Sequence, residues 1–285
     1  METLVSWLRQ VLDTLLSGVF RLLRLYASFT GKSSYRPPEE SAASAGSNAD
    51  QPLVLLVTGS MIASDFFDVM ALRLKQQGFR PVIYQPPDLL TGPIPSAAQG
   101  IDAAVKTILS VTGEEKLNVV AECNGGVAAR YWLQRLGGAR YVDRFITFVS
   151  AHHGTKSVGT CWYPALADIK PGSEYLEGIC KSTLEECGVN AFSIYMSMDE
   201  IMKPCTTSQI RGALNIEVRD RAMDRRARDR WPYPVHSIVG WVLALLFPIH
   251  LAGFWDETFF RLVLSCLRDD PATICEFDEL NVVTY

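Results

Sequence analysis

The chain is predicted to be an α/β protein whose mostly parallel sheet is covered by helices on both faces. Its strand-like runs are mainly apolar rather than alternating, PLVLLV (52–57) throughout and KLNVVAEC (116–123) in most of its residues, the pattern of strands buried on both sides. Helix-length stretches separate successive runs, as the crossovers of a parallel sheet require. A length of 285 residues with 48% apolar content is enough for one large core.

The first element stands apart from that core. In METLVSWLRQVLDTLLSGVFRLLRLYASF (1–29), Leu4, Leu8, Val11, Leu12, Leu15, Val19, Leu22, Leu23 and Tyr26 form a helical stripe, with Arg9, Asp13, Arg21 and Arg24 on the other side. Residues 1–30 are therefore expected to form an amphipathic helix. Glu2 in place of a cationic start, arginines after the apolar part and no A-x-A-like site fit a signal peptide poorly. The same charges interrupt the roughly 20 apolar residues that crossing a bilayer takes. Two placements remain: a helix lying in the membrane interface with its arginines at headgroup level, or one packed on the domain's own surface. The linker GKSSYRPPEESAASAGSNADQP (31–52) is rich in Ser, Ala, Pro and Gly and has no periodicity. It detaches the helix from any core and favours the interface.

From Leu53 strands and helices alternate. The apolar run PLVLLV leads into a helix, DFFDVMALRLKQQG (65–78), closed by a glycine. RPVIYQP (80–86) is a second strand and AAQGIDAAVKTILSVTG (97–113) a second helix. KLNVVAEC is a third strand, GGVAARYWLQRLGG (125–138) a third helix and DRFITFVSA (143–151) a fourth strand. Later strands fall in NAFSIYMSM (190–198) and ALNIEVRD (213–220), and a last helix in DETFFRLVLSCLRDD (256–270).

Between that last strand and that last helix lies an inserted, lid-like segment at about 219–249. RDRAMDRRARDR (219–230) carries six arginines against three aspartates, and SIVGWVLALLFPI (237–249) is apolar but too short to span a bilayer. It reads equally as a lid or second membrane contact and as an ion-paired surface helix leading into a buried one.

A net charge of −4 and a pI near 5.6 exclude a surface that grips nucleic acid as a whole. The seven cysteines (Cys123, Cys161, Cys180, Cys187, Cys205, Cys266 and Cys275) show no C-x-x-C pair, so no structural metal is expected. Whether six of them pair in an oxidising compartment or stay reduced is left open.

Chemistry in such a sheet sits at the carboxyl ends of strands. The corner Ala121-Glu122-Cys123-Asn124-Gly125-Gly126 has the layout of a nucleophile elbow, with small residues two positions either side of Cys123. A helix N-terminus at that corner favours thiolate. Glu122, if turned inward, opposes it by like charge. A plain reading of the same string is a buried cysteine on an ordinary strand-to-helix turn.

Further motifs follow in order: VTGS (57–60), AECNGG (121–126), SAHHGT (150–155), PGSEYL (171–176), SIYMSMDEIMKP (193–204) and HLAGFWDETFFRLVL (250–264). Together they resemble the bacterial triacylglycerol lipases, a secreted lipase and esterase group of the α/β-hydrolase superfamily. There the elbow is A-H-S-M-G-G, and T-P-H-H-G-T, P-G-S-x-(F/Y)-L and S-I-Y-S-x-x-D-E-I segments precede a terminal H-x-G-x-x-x-D. The resemblance covers roughly Leu53 to Leu267. It implies an α/β-hydrolase fold without cofactor or metal, with Cys123 as nucleophile, Asp199 as orienting acid and His250 as base. Glu200 is the substitute acid and His236 the alternative base, while His152 and His153 fall on a supporting H-H-G-T segment. The oxyanion hole falls on the backbone N–H groups of Ser60 and Asn124.

The departures are Thr58 and Glu122 where those lipases have histidine, Asn124 where they have methionine, and Cys123 where they have serine. Polyester synthases and some polyester depolymerases of the same fold resemble the chain in using a G-x-C-x-G-G box. The expected activity is hydrolysis of carboxylic esters or thioesters of hydrophobic acyl groups at a membrane or lipid surface, with acyl transfer as a variant. The alternative is a silent hydrolase-fold protein kept for lipid binding or as a scaffold. The expected location is peripheral to a membrane on its cytoplasmic face, with secretion left open.

Overall fold

The computed structural model describes residues 51–158, 163–219, 250, 251, 253, 254, 256–270 and 280–284, together with 40 and 43. The expected amphipathic helix (1–30), most of the linker (31–52), nearly all of the lid-like segment (219–249) and His236 lie outside the described residues.

Seven strands form one sheet: β1 (Leu53–Val57), β2 (Arg80–Tyr84), β3 (Leu117–Glu122), β4 (Val142–Phe148), β5 (Asn190–Met196), β6 (Leu214–Val218) and β7 (Leu280–Thr284). Their spatial order is β2-β1-β3-β4-β5-β6-β7. The first six are parallel, and β7 pairs antiparallel with β6. All five residues of β1 and all six of β3 are buried, as strands covered on both faces are, Asn118 and Glu122 of β3 among them. The final strand is a finding that apolar periodicity does not mark: LNVVT is short and gains its strand conformation by extending an existing edge.

The main helices are α1 (Asp68–Gln76), α2 (Ile94–Thr112), α3 (Cys123–Arg135), α4 (Pro164–Asp168), α5 (Glu174–Ile179) and α6 (Glu257–Arg268). In α2, Ile94, Ala98, Ile101, Val105 and Ile108 recur at helical spacing and are buried, and Gly113 closes the helix at φ +73°. Asp256 caps α6, its Oδ1 accepting from the N–H groups of Thr258 (2.7 Å) and Phe259 (3.3 Å).

Parallel strands bring their carboxyl ends to one edge of the sheet, and three of the candidates lie where the chain leaves that edge. Ser60 follows β1, Cys123 follows β3 and Asp199 follows β5. His250 comes in from the other side of the chain, on the segment that leads to α6. It is tethered by Phe254, whose ring meets Phe67, Phe66 and Phe148 edge-on at centroid distances of 4.8, 5.4 and 5.5 Å.

Candidate active site

Cys123 sits where strand turns into helix, with a left-handed backbone at φ +49°. A non-glycine residue there is strained by roughly 1–2 kcal/mol, and such strain holds a side chain out of the turn where a pocket can reach it. The corner is tight because α3 presses on β1. A Cβ on Gly125 would lie 2.5 Å from the Thr58 carbonyl oxygen, and one on Gly126 would lie 2.2 Å from Ser150 Oγ.

Asp199 is buried three residues beyond β5. Its Oδ1 accepts from the N–H groups of Ile201 (2.7 Å) and Met202 (2.8 Å), which leaves Oδ2 to bond His250 Nδ1 at 2.8 Å. The neighbouring Glu200 does not take the acid's place. Its Oε2 accepts from the His250 main-chain N–H (2.8 Å) and so fixes the histidine's backbone. The structure therefore brings Cys123, Asp199 and His250 together.

Glu122 joins them. It is wholly buried, its Oε2 accepts from the Gly59 N–H at 3.0 Å, and its Oε1 lies 3.4 Å from His250 Nε2. The sequence signal for it was only its place beside the nucleophile, since the pattern does not tell which way a residue at the end of a buried strand turns. Ligand atoms of Glu122, Cys123 and His250 all lie within 4.8 Å of one another.

Burial penalises the charged form of each group, and the neighbours decide the outcome. For His250, burial alone would lower the pKa, but the charge and hydrogen bond of Asp199, with the thiol and Glu122, push it well above the ordinary imidazole value. Burial raises the Glu122 carboxyl despite the opposing pull of His250 and the Gly59 N–H. Burial and then the Glu122 charge raise the Cys123 thiol, against His250 and the Asn124 N–H. Asp199 thus holds one side of the His250 ring, and Glu122 and the Cys123 thiol both stand at the other.

The candidate oxyanion residues stand side by side. Asn124 Nδ2 donates to Ser60 Oγ (2.8 Å), which donates in turn to the Leu90 carbonyl (2.8 Å). The amides on either side of Ser60 are engaged, Gly59 by Glu122 and Met61 by the Leu89 carbonyl (2.8 Å). His152 is buried apart from Asp199, its Nε2 3.1 Å from Thr147 Oγ1, and burial holds its pKa well below the ordinary value. His153 packs against Cys180, Nδ1 to Sγ 3.5 Å.

Half-buried Cys123 and the His250 ring open into a cavity of about 150 Å³. Its walls are mainly apolar, with Met61, Ile62, Val158, Leu166, Ile169, Ile201, Met202 and Leu251, and Ser60, Asn124, Ser157 and Glu200 supply the polar contribution.

No family model matches the chain, and no curated protein matches it in sequence. Solved structures do. Lipase B of Aspergillus fumigatus is 15% identical over 78% of this chain and 54% of its own, with a TM-score of 0.61. The lin2722 gene product of Listeria innocua is 14% identical over 76% of this chain and 94% of its own, with a TM-score of 0.50. The chain thus spans about half the length of the Aspergillus lipase. These likenesses establish the fold: the chain has the α/β-hydrolase fold, a parallel six-stranded sheet with helices on both faces.

Proposed function

We propose that the protein hydrolyses carboxylic esters or thioesters of hydrophobic acyl groups through Cys123, His250 and Asp199. One observation carries this reading: a cysteine on a left-handed elbow faces a histidine whose far nitrogen is bonded to a buried aspartate, at the mouth of an apolar cavity. The nature of the fold neighbour from Aspergillus, a lipase, supports the same substrate class.

In the proposed cycle His250 Nε2 takes the Cys123 proton and the thiolate attacks the acyl carbonyl. The tetrahedral oxyanion rests on the N–H groups of Asn124 and Ser60. Collapse breaks the ester bond, and His250 returns the proton to the departing alcohol, or thiol for a thioester. Water, deprotonated by His250, then cleaves the thioester on Cys123 and restores the free thiol. Asp199 holds the ring in the required tautomer and stabilises the imidazolium. The acyl chain lies against the apolar wall from Met61 to Leu251. The amphipathic segment 1–30 and the segment 219–249 would bring this cavity to a lipid surface on the cytoplasmic face of a membrane.

A second reading is favoured by one observation, the raised thiol pKa beside an inward-facing Glu122. On it the fold is retained and turnover is lost.

The test is incubation with p-nitrophenyl butyrate, following nitrophenol release and locating any acyl group by peptide mass. Turnover with an adduct on Cys123 is expected. Absence of turnover, with no labelling of Cys123 above the other cysteines, would sink the enzyme reading. A gain of esterase activity in Cys123→Ser would then identify the thiol as the lost step.

A further inference from the structure

We propose that Glu122, Cys123 and His250 form a binding site for a divalent zinc-class cation, and that zinc occupying it switches off the thiol chemistry. The binding claim is independent of the hydrolase reading, and only its inhibitory consequence rests on that reading.

The donor set is a thiolate, an imidazole and a carboxylate, the combination that suits zinc among the common biological metals. Charge favours it as well. A thiolate and a carboxylate neutralise a divalent ion, so a site that burial makes hostile to two adjacent anions becomes neutral when filled. Geometry is close to what is needed. Tetrahedral zinc with bonds of about 2.0–2.3 Å sets its ligand atoms roughly 3.3–3.6 Å apart. His250 Nε2 and Glu122 Oε1 are already 3.4 Å apart, and the three ligand atoms lie within 4.8 Å.

An independent feature points to a ligand at this place. Glu122 Oε1 makes no well-aligned hydrogen bond among the described residues although the side chain is wholly buried, and its contact with His250 Nε2 is a long one of 3.4 Å. A buried carboxylate oxygen left without a donor is costly, and a cation supplies what it lacks.

The outer partners of such a site are also in place. Asp199 Oδ2 accepts from His250 Nδ1, which leaves Nε2 with its lone pair for a metal, and the Gly59 N–H holds the other Glu122 oxygen. A carboxylate behind a ligating histidine is the usual way to fix the ring and raise its basicity. Glu122, Cys123 and His250 all line the cavity, so water or a substrate oxygen could reach an ion held between them.

Binding zinc displaces the thiol proton to solvent and ties up both the nucleophile and the base nitrogen. Ester hydrolysis should fall as zinc rises and return when a chelator removes it. The expectation that the chain holds no metal rested on the absence of C-x-x-C pairs, and these ligands come instead from two consecutive residues at a strand end and a histidine distant in sequence.

The experiment uses full-length, untagged, chelator-washed protein titrated with cobalt(II). One equivalent is expected to raise a thiolate-to-cobalt charge-transfer band and tetrahedral d–d bands, both erased by zinc. Cys123→Ser should abolish the charge-transfer band, Glu122→Gln should weaken cobalt binding at least tenfold, and Asp199→Asn should weaken it by about 10–100-fold. Zinc should also protect Cys123 of the unaltered protein from iodoacetamide, mapped by peptide mass, an assay that needs no variant. Absence of the band, its survival in Cys123→Ser, or unprotected Cys123 at saturating zinc would overturn the site. Because the band reports bound metal whether or not esters are turned over, its failure is distinguishable from failure of the hydrolase reading. Hydrolysis that increases with zinc would overturn the inhibitory direction.

Discussion

At the scale of single residues, the site is decided by what surrounds the His250 ring. Asp199 has one side of the ring, and on the other side Glu122 and the Cys123 thiol compete. Glu122 is one cause of the raised thiol pKa, so replacing its carboxyl by an amide should lower that pKa. Each unit of lowering gives about tenfold more thiolate at neutral pH. Glu122→Gln is therefore expected to speed alkylation of Cys123 by iodoacetamide, measured against Cys123→Ser as background, and an unchanged or slower rate would show that Glu122 does not restrain the thiol. The pH dependence of stability tests the same charges. The folded-state pKa of His250 lies above its unfolded value of 6.5, so its contribution is complete below that pH and is lost as pH rises through the folded value. Glu122, also raised, acts in the same sense. His152 is lowered and acts in the opposite sense, but it is common to both proteins compared and cancels in the difference. The Tm advantage of the unaltered protein over His250→Gln should thus be largest in mildly acidic buffer and shrink with rising pH; growth of that advantage with pH would contradict a stabilised imidazolium.

At the scale of elements, the corner between β3 and α3 depends on how closely the helix approaches β1. Gly125 meets main-chain carbonyl oxygens of Thr58 and Val57 at 2.5 and 3.0 Å from a would-be Cβ, and a backbone cannot rotate aside as a side chain can. Gly125→Ala is expected to cost about 1–3 kcal/mol through overpacking. Gly137→Ala is a matched control, with nothing within 4 Å and only the strain of φ +72°, about 1 kcal/mol. Denaturant titration of the two variants should place Gly125→Ala lower, and equal losses would refute the close approach of α3 to β1. The contrast also explains how much could be read from sequence. Unbroken apolar strands, glycine-closed helices and the small residues of the elbow are local signals, and they gave the sheet and the site of Cys123. Asp199 and His250 needed the order of several motifs, because the residues that meet are far apart in the chain. The inward turn of Glu122, the use of Glu200 to hold the His250 backbone and the pairing of LNVVT onto β6 are tertiary outcomes. None of them leaves a periodic trace, so none was specified by pattern alone.

At the scale of the whole molecule, the residues of the cavity are flanked in sequence by the two segments proposed to meet a lipid surface. The parallel sheet gathers the ends of β1, β3 and β5 at that mouth, and the arginine-rich then apolar stretch 219–249 runs directly into His250. Among the described residues no helix is long and apolar enough to cross a membrane. Arginines in both segments would meet anionic headgroups, each contributing about 1 kcal/mol near the surface and less as salt screens it. Apolar side chains of the helical stripe would add burial in the acyl boundary. The full chain should therefore float with vesicles of mixed phosphatidylserine and phosphatidylcholine, float less with phosphatidylcholine alone, and lose part of the difference in high salt. A chain beginning at Leu53 should lose most of the flotation if the stripe is the anchor. Equal flotation of the two would move the membrane contact to 219–249, and no flotation of either would leave the cavity to meet its esters in solution.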